Sequence, residues 1–86
     1  MSNDDQPFPT PRYSRVLDVS AEIAQEMRHS YVGVEHLFLA IIRDRAAVPT
    51  RTLARIADLD RVEASLREVM ASESYAGKSR GRLERG

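Results

Sequence analysis

The order of apolar and polar residues divides the chain into four helical stretches. Tyr13, Val16, Leu17, Ser20, Ile23, Ala24 and Met27 recur at steps of three and four, which places them on one stripe of a helix. Asp18, Glu22 and Glu26, spaced by four, fall on another face. Thr10 can cap the first turn with its hydroxyl. Pro11 suits the first helical position, because its missing N–H would be unpaired there anyway. The pattern predicts a helix over 11–28. His29 to Gly33 breaks the period, and Gly33 permits a turn. A second helix is predicted over about 34–44. Its run from Leu37 to Ile42 is apolar all round, so it is expected to be central and buried. Arg43 and Arg45 stand at its C-terminal end, where positive charge suits the helix dipole.

Ala46 to Val48 lead to Pro49, which can open a short third helix over about 49–57, with Leu53, Ile56 and Ala57 as its apolar contacts. Asp58 is a good N-cap for a fourth helix over about 59–71, whose stripe is Leu59, Val62, Leu66, Val69 and Met70. No strand-like alternation and no internal repeat is visible. Residues 1–9, with Pro7 and Pro9, read as a flexible lead, and residues 72–86, rich in Gly, Ser and Arg, as a disordered basic tail. The expected fold class is therefore all-α, with one helical domain over 10–71.

Composition narrows the chemistry. The chain has 86 residues, enough for a single domain. With no cysteine, disulfides, Cys-ligated zinc and thiol catalysis are excluded. The run Leu37–Ile42 is too short to span a bilayer, and Met1 to Gln6 is polar and acidic, unlike a secretory signal. A cytoplasmic location without a membrane partner is the expectation. Basic and acidic residues balance at 13 each, so no global field draws in nucleic acid. Only the tail is locally basic, with Lys78, Arg80, Arg82 and Arg85 against Glu84 over residues 77–86. Neither common nucleotide-binding glycine loop is present. His29 and His36 are the only histidines, and no H-E-x-x-H pair begins a zinc site. The reading is a binding module rather than an enzyme, with no catalytic residue, no metal and no cofactor.

One set of residues goes further. Thr10-Pro11-Arg12 with Val16-Leu17, followed by His29-Ser30-Tyr31-Val32-Gly33-Val34-Glu35-His36-Leu37, resembles one repeat of the Clp N-terminal (Clp R) domain. That module precedes the ATPase rings of the ClpA, ClpB and ClpC unfoldases. Its pattern reads roughly T-x-R-A, V-L, then G-H-x-Y-I-G-T-E-H-L-L-L-G-L. The likeness continues through Ile41-Ile42-Arg43 and Leu53 and covers about residues 8–71. It implies a single four-helix repeat, half of a two-repeat domain. Three positions depart from the pattern. Val34 replaces a Thr and removes a capping hydroxyl. Ala40 replaces a Gly, which favours helix. The turn Ile56-Ala57-Asp58 is one residue shorter and lacks a Gly.

The resemblance implies a stand-alone protein-interaction module of the Clp chaperone and proteolysis system, with substrates, adaptors or phosphoarginine-bearing proteins as partners. By position the family's ligand carboxylate is Glu35, which could accept two parallel N–H bonds from a guanidinium. Thr10, Arg12 and the N–H groups beyond Pro11 could cradle the phosphate, and Val34 and His36 flank Glu35 as further candidate contacts. Arg12 near a helix start is mildly unfavourable, a hint of an acidic partner. The two-repeat relatives cover apolar surface of one repeat with the other, so a lone repeat is expected to cover it with a partner: a homodimer, since two-fold pairing is the commonest closed assembly, or a hetero-complex with the N-terminal domain of a full-length Clp protein. The alternative is a small helical DNA-binding regulator using the basic tail. Against it stand the zero net charge and a third helix whose basic residues are only Arg51 and Arg55.

Overall fold

The structure, a computed structural model, describes residues 7–72. Four helices follow in order: α1 (Pro11–Glu26), α2 (Val34–Arg43), α3 (Val48–Ala54) and α4 (Leu59–Met70). No strand occurs among the described residues. The all-α, four-helix repeat read from the sequence is the observed architecture. Most of the tail expected to be disordered, and residues 1–6 of the lead, lie outside the described residues.

The helix starts follow their caps. The Thr10 hydroxyl accepts the Tyr13 N–H at 3.1 Å, with Pro11 at the first helical position. Asp58 accepts from the N–H groups of Asp60 and Arg61 at 3.0 and 3.4 Å. Helix α1 stops two residues earlier than periodicity suggests, because the chain turns through a left-handed residue. Arg28 has φ 61°, and His29 N–H bonds back to the Ala24 carbonyl at 2.9 Å while Arg28 N–H bonds to that of Gln25 at 3.0 Å. This pair of bonds closes a helix C-terminus with glycine's usual conformation, here taken by an arginine. Gly33, the residue expected to turn, is instead extended at φ −110°, ψ −179°. Helix α3 begins at Val48, one residue before Pro49, and ends at Ala54, where Arg55 to Ala57 close a turn back onto Thr52 and Leu53.

Helix α2 is the hub on which α1, α3 and α4 each pack, more than on one another. Val16, Ile23, Leu39, Ala40 and Met70 form the central cluster, with Val19, Met27, Leu37, Ile41 and Leu66 around it. Ser20 is buried within α1 because its hydroxyl donates to the Leu17 carbonyl at 2.6 Å. Buried Thr50 donates its hydroxyl to the Ile41 carbonyl, fastening α3 beneath the end of α2. Three expectations are corrected. Ile56 and Val69, placed among the apolar contacts of the third and fourth helices, are exposed. Tyr13 and Leu17, counted on the buried stripe of α1, are exposed, while Val16, Ser20, Ile23 and Ala24 of that stripe are buried and Met27 packs at the edge of the core. Helix α2 is not buried all round: Val34 is 77% and Phe38 41% exposed, because three short helices leave one of its sides open.

Candidate functional site

Helices α1 and α2 form an antiparallel hairpin, and the candidate site residues fall at its two ends. At the open end, Arg12 Nε donates to Asp44 Oδ2 at 2.6 Å. Asp44 caps the C-terminus of α2. Its carboxyl is held below the usual carboxylate range, chiefly by the hydrogen bond from Arg12, with Arg15 adding a smaller attraction. The acidic partner that Arg12 hints at is thus supplied within the chain by Asp44. Thr10 stands beside it, its oxygen already engaged by Tyr13 N–H.

At the turn end, the sequence Gly33-Val34-Glu35-His36 opens α2. His36 is fully buried. Its Nδ1 accepts the Gly33 N–H at 2.8 Å, so its proton resides on Nε2 and is given to His29 Nδ1 at 2.7 Å. The His36 ring is thereby held in one tautomer. His29 and Tyr31 stack in parallel with centroids 5.2 Å apart, and the His36 ring meets both edge-on at 5.0 and 5.5 Å. Burial, and after it the neighbouring His29, holds the His36 imidazole below the ordinary histidine range, while Glu35 pulls the other way. His36, a candidate contact, therefore acts from inside: it fixes the first turn of α2 rather than facing a ligand.

Glu35 folds back over Gly33. A methyl group placed on Gly33 would meet Glu35 Oε1 at 2.6 Å, so the missing side chain gives the carboxylate its room. Glu35 is partly exposed. The ion pairs among the described residues engage Glu26, Asp44, Asp60 and Glu63, and Glu35 enters none of them. Val34 projects beside it into solvent.

The structure brings Val34, Glu35 and His36 together, and separately Thr10 with Arg12. It does not join the two groups. From Glu35 to Asp44, the residue that holds Arg12, α2 rises about 13 Å. A phosphate on the α1 N-terminus and a guanidinium on Glu35 of the same copy are therefore set at opposite ends. Sequence reasoning missed Asp44, 32 positions from Arg12, and the bond between His29 and His36. The signal for the second was present, since both histidines flank a short turn between helices. Arg15, Val16, Val19 and Glu22 of α1, Ala40 and Arg43 of α2, and the cap Asp44 line an open groove. No group of three metal-ligating side chains occurs among the described residues. No helix among them is long and apolar enough to cross a membrane.

Comparison with known proteins agrees with this architecture. The ClpA homolog of the ATP-dependent Clp protease ATP-binding subunit from Guillardia theta is 36% identical over 79 residues, covering 91% of this chain and 10% of that protein. The chloroplastic ClpA homolog CD4B of Solanum lycopersicum is 39% identical over 77 residues, 87% of this chain and 8% of its own length. The chaperone protein ClpB of Oceanobacillus iheyensis is 35% identical over 71 residues, with 80% and 9% covered. The chain thus spans about a tenth of the length of the curated relatives it matches. No solved structure matches. The model of the Clp repeat (R) N-terminal domain matches residues 1–56, from the lead through α3, and this chain belongs to that family.

Proposed function

We propose that this chain is a non-catalytic docking module of the Clp chaperone and proteolysis system, taking a guanidinium-bearing segment of a substrate or adaptor at Glu35. Phosphorylated arginine is the ligand of choice. The observation that carries the reading is the state of Glu35. It is a partly exposed carboxylate outside every ion pair among the described residues, on a helix turn fixed from below by buried His36. A guanidinium presents two parallel N–H groups to such a carboxylate, and the pair is strengthened because one member needs no reordering. Val34 offers the aliphatic stem of the arginine an apolar neighbour in place of a hydroxyl. An adaptor, a decoy and an accessory subunit would all use this same contact. A second copy of this chain and other Clp-system proteins are the proposed partners.

The DNA-binding alternative draws little from the geometry. Arg43 lies between Glu26 and Glu63 at 3.5 and 3.9 Å, and Arg45 reaches Asp60 at 3.1 Å, so these basic residues are already neutralised.

The test is a titration of the isotope-labelled chain with free phosphoarginine. Amide signals of Val34, Glu35 and His36 should shift, and Glu35→Ala should abolish the shifts while leaving the melting curve unchanged. Spectra that stay unperturbed at millimolar ligand would sink the reading.

A further inference from the structure

Glu35, Leu39 and Arg43 stand four residues apart and share one face of α2. Helix α4 runs along that face in the opposite direction. Its second residue, Asp60, reaches Arg45 at 3.1 Å, and Glu63, further along, reaches Arg43 at 3.9 Å. Met70, its last residue, joins Leu39 in the central cluster. Each step forward on α4 is thus a step back on α2. Helix α4 stops one turn of α2 short of Glu35, and the first member of the face is left partly exposed.

The chain therefore leaves α4 at the end of the hairpin that presents Glu35. From Leu39 to Glu35 helix α2 rises about 6 Å. Residues 73–86, which lie outside the described residues, carry Lys78, Arg80, Arg82 and Arg85 against Glu73 and Glu84. Arg80 is eight residues beyond Ser72. A stretch of that length spans up to about 26 Å, so all three guanidinium groups are within reach of Glu35.

The charges are complementary as well. Glu35 enters none of the ion pairs among the described residues, whereas Asp60, Glu63 and Glu26 are engaged. Glu68 is also outside those pairs, but it stands on the opposite side of α4 from Met70 and so faces away from α2. An arginine offers the two parallel N–H groups that a carboxylate accepts as a pair, which a lysine does not.

We infer that the arginines of residues 80–85 occupy Glu35 within the same chain, so that the module's own arginine-bearing segment competes with an incoming ligand for the docking carboxylate. The regulatory role rests on the docking reading of Glu35; the contact itself does not. A tethered group acts at an effective concentration on the order of millimolar. An unmodified arginine from a partner meets a competitor of its own kind, and only a ligand with contacts beyond the guanidinium displaces it. The contact is an exposed ion pair, so salt weakens it.

The test compares the isotope-labelled full chain with a full-length variant carrying Arg80→Gln, Arg82→Gln and Arg85→Gln. These replacements lie beyond the four helices. At low salt and without ligand, the amide signals of Val34 and Glu35 should differ between the two chains, and about 1 M salt should remove the difference. The difference should be the same at every protein concentration. Glu35→Ala, made in both backgrounds, should erase it, while Glu68→Ala should keep it. Phosphoarginine should bind the triple variant about two- to fivefold more tightly than the wild type, the range that an exposed ion pair supplies. Identical Glu35 signals in the two chains, or a difference that survives Glu35→Ala, overturns the inference. So does a difference that grows with concentration, which would assign the arginines to a neighbouring copy. Phosphoarginine binding of equal strength in both chains overturns it too and leaves the docking reading intact. A Glu35 difference between chains that both fail to bind phosphoarginine would uphold the contact and sink the docking reading instead.

Discussion

The two ends of the α1–α2 hairpin are fastened by opposite means. At the turn, the imidazoles of His36 and His29 and a backbone N–H form a partly buried relay from Gly33 through His36 to His29, with His36 itself fully buried. At the open end, Arg12 and Asp44 meet as full charges with the arginine half exposed. A buried hydrogen bond is costly to break, because its members are left without water. An exposed ion pair is cheap to break, because water and salt replace the lost partner. The hairpin should accordingly be firm where Glu35 is presented and yielding where α1 begins.

The relay provides the sharpest test. His36→Ala removes a fully buried ring and leaves the Gly33 N–H unsatisfied, and should cost about 2–4 kcal/mol in urea unfolding followed by circular dichroism. The relay also sets a sign for acid. The folded chain takes up the His36 proton less readily than the unfolded chain, so the stability is complete above the ordinary histidine value of about 6.5 and declines as the pH falls below it. A second proton would also break the Gly33 bond and place charge beside His29. His36→Ala should flatten that part of the pH profile. An unchanged slope between the wild type and the variant would show that the loss arises elsewhere.

A smaller effect, of opposite sign, is expected next to the relay. Arg28 occupies a left-handed conformation that glycine adopts freely. Arg28→Gly should raise stability by about 1 kcal/mol, measured by the same denaturation. A loss would mean that the arginine side chain contributes more than its backbone conformation costs.

The smallest effect belongs to the open end. Arg12→Ala should lower the melting temperature less than His36→Ala does, and the difference from wild type should fade as salt is added. Asp44 keeps its charge to lower pH than an ordinary aspartate, so the pair is intact above the usual carboxylate range and lost as the pH falls through the lowered value. An Arg12→Ala effect that matches His36→Ala and resists salt would undo the contrast between the ends.

The sequence made the helices legible because their starts carry local chemistry: Thr10 and Pro11 for α1, Asp58 for α4. It misplaced Tyr13 and Leu17 because periodicity tells which residues share a face, not how wide the neighbouring helix is. It overestimated the burial of α2 for the same reason, since counting apolar residues does not count the helices available to cover them. Glu35, Thr10 and Arg12 could be named as a set but not placed. Their separation depends on the antiparallel course of the hairpin, and the partner of Arg12 stands far along the chain. The His29–His36 bond depends on a turn conformation set by Arg28, a residue with no sequence preference for it.

The hub arrangement of α2 also decides the order in which the chain comes apart. Helix α3 has seven residues, too few to persist on its own, and its anchor is Thr50 on the Ile41 carbonyl. Its amides should exchange with solvent deuterium well before those of Ile23 and Leu39, which lie where α1 and α2 cover each other. Opening α3 uncovers the last carbonyls of α2 at the same moment. The hairpin should thus be the slow-exchanging unit and the first to assemble, since its two halves are neighbours in sequence and need only a short loop closed between them.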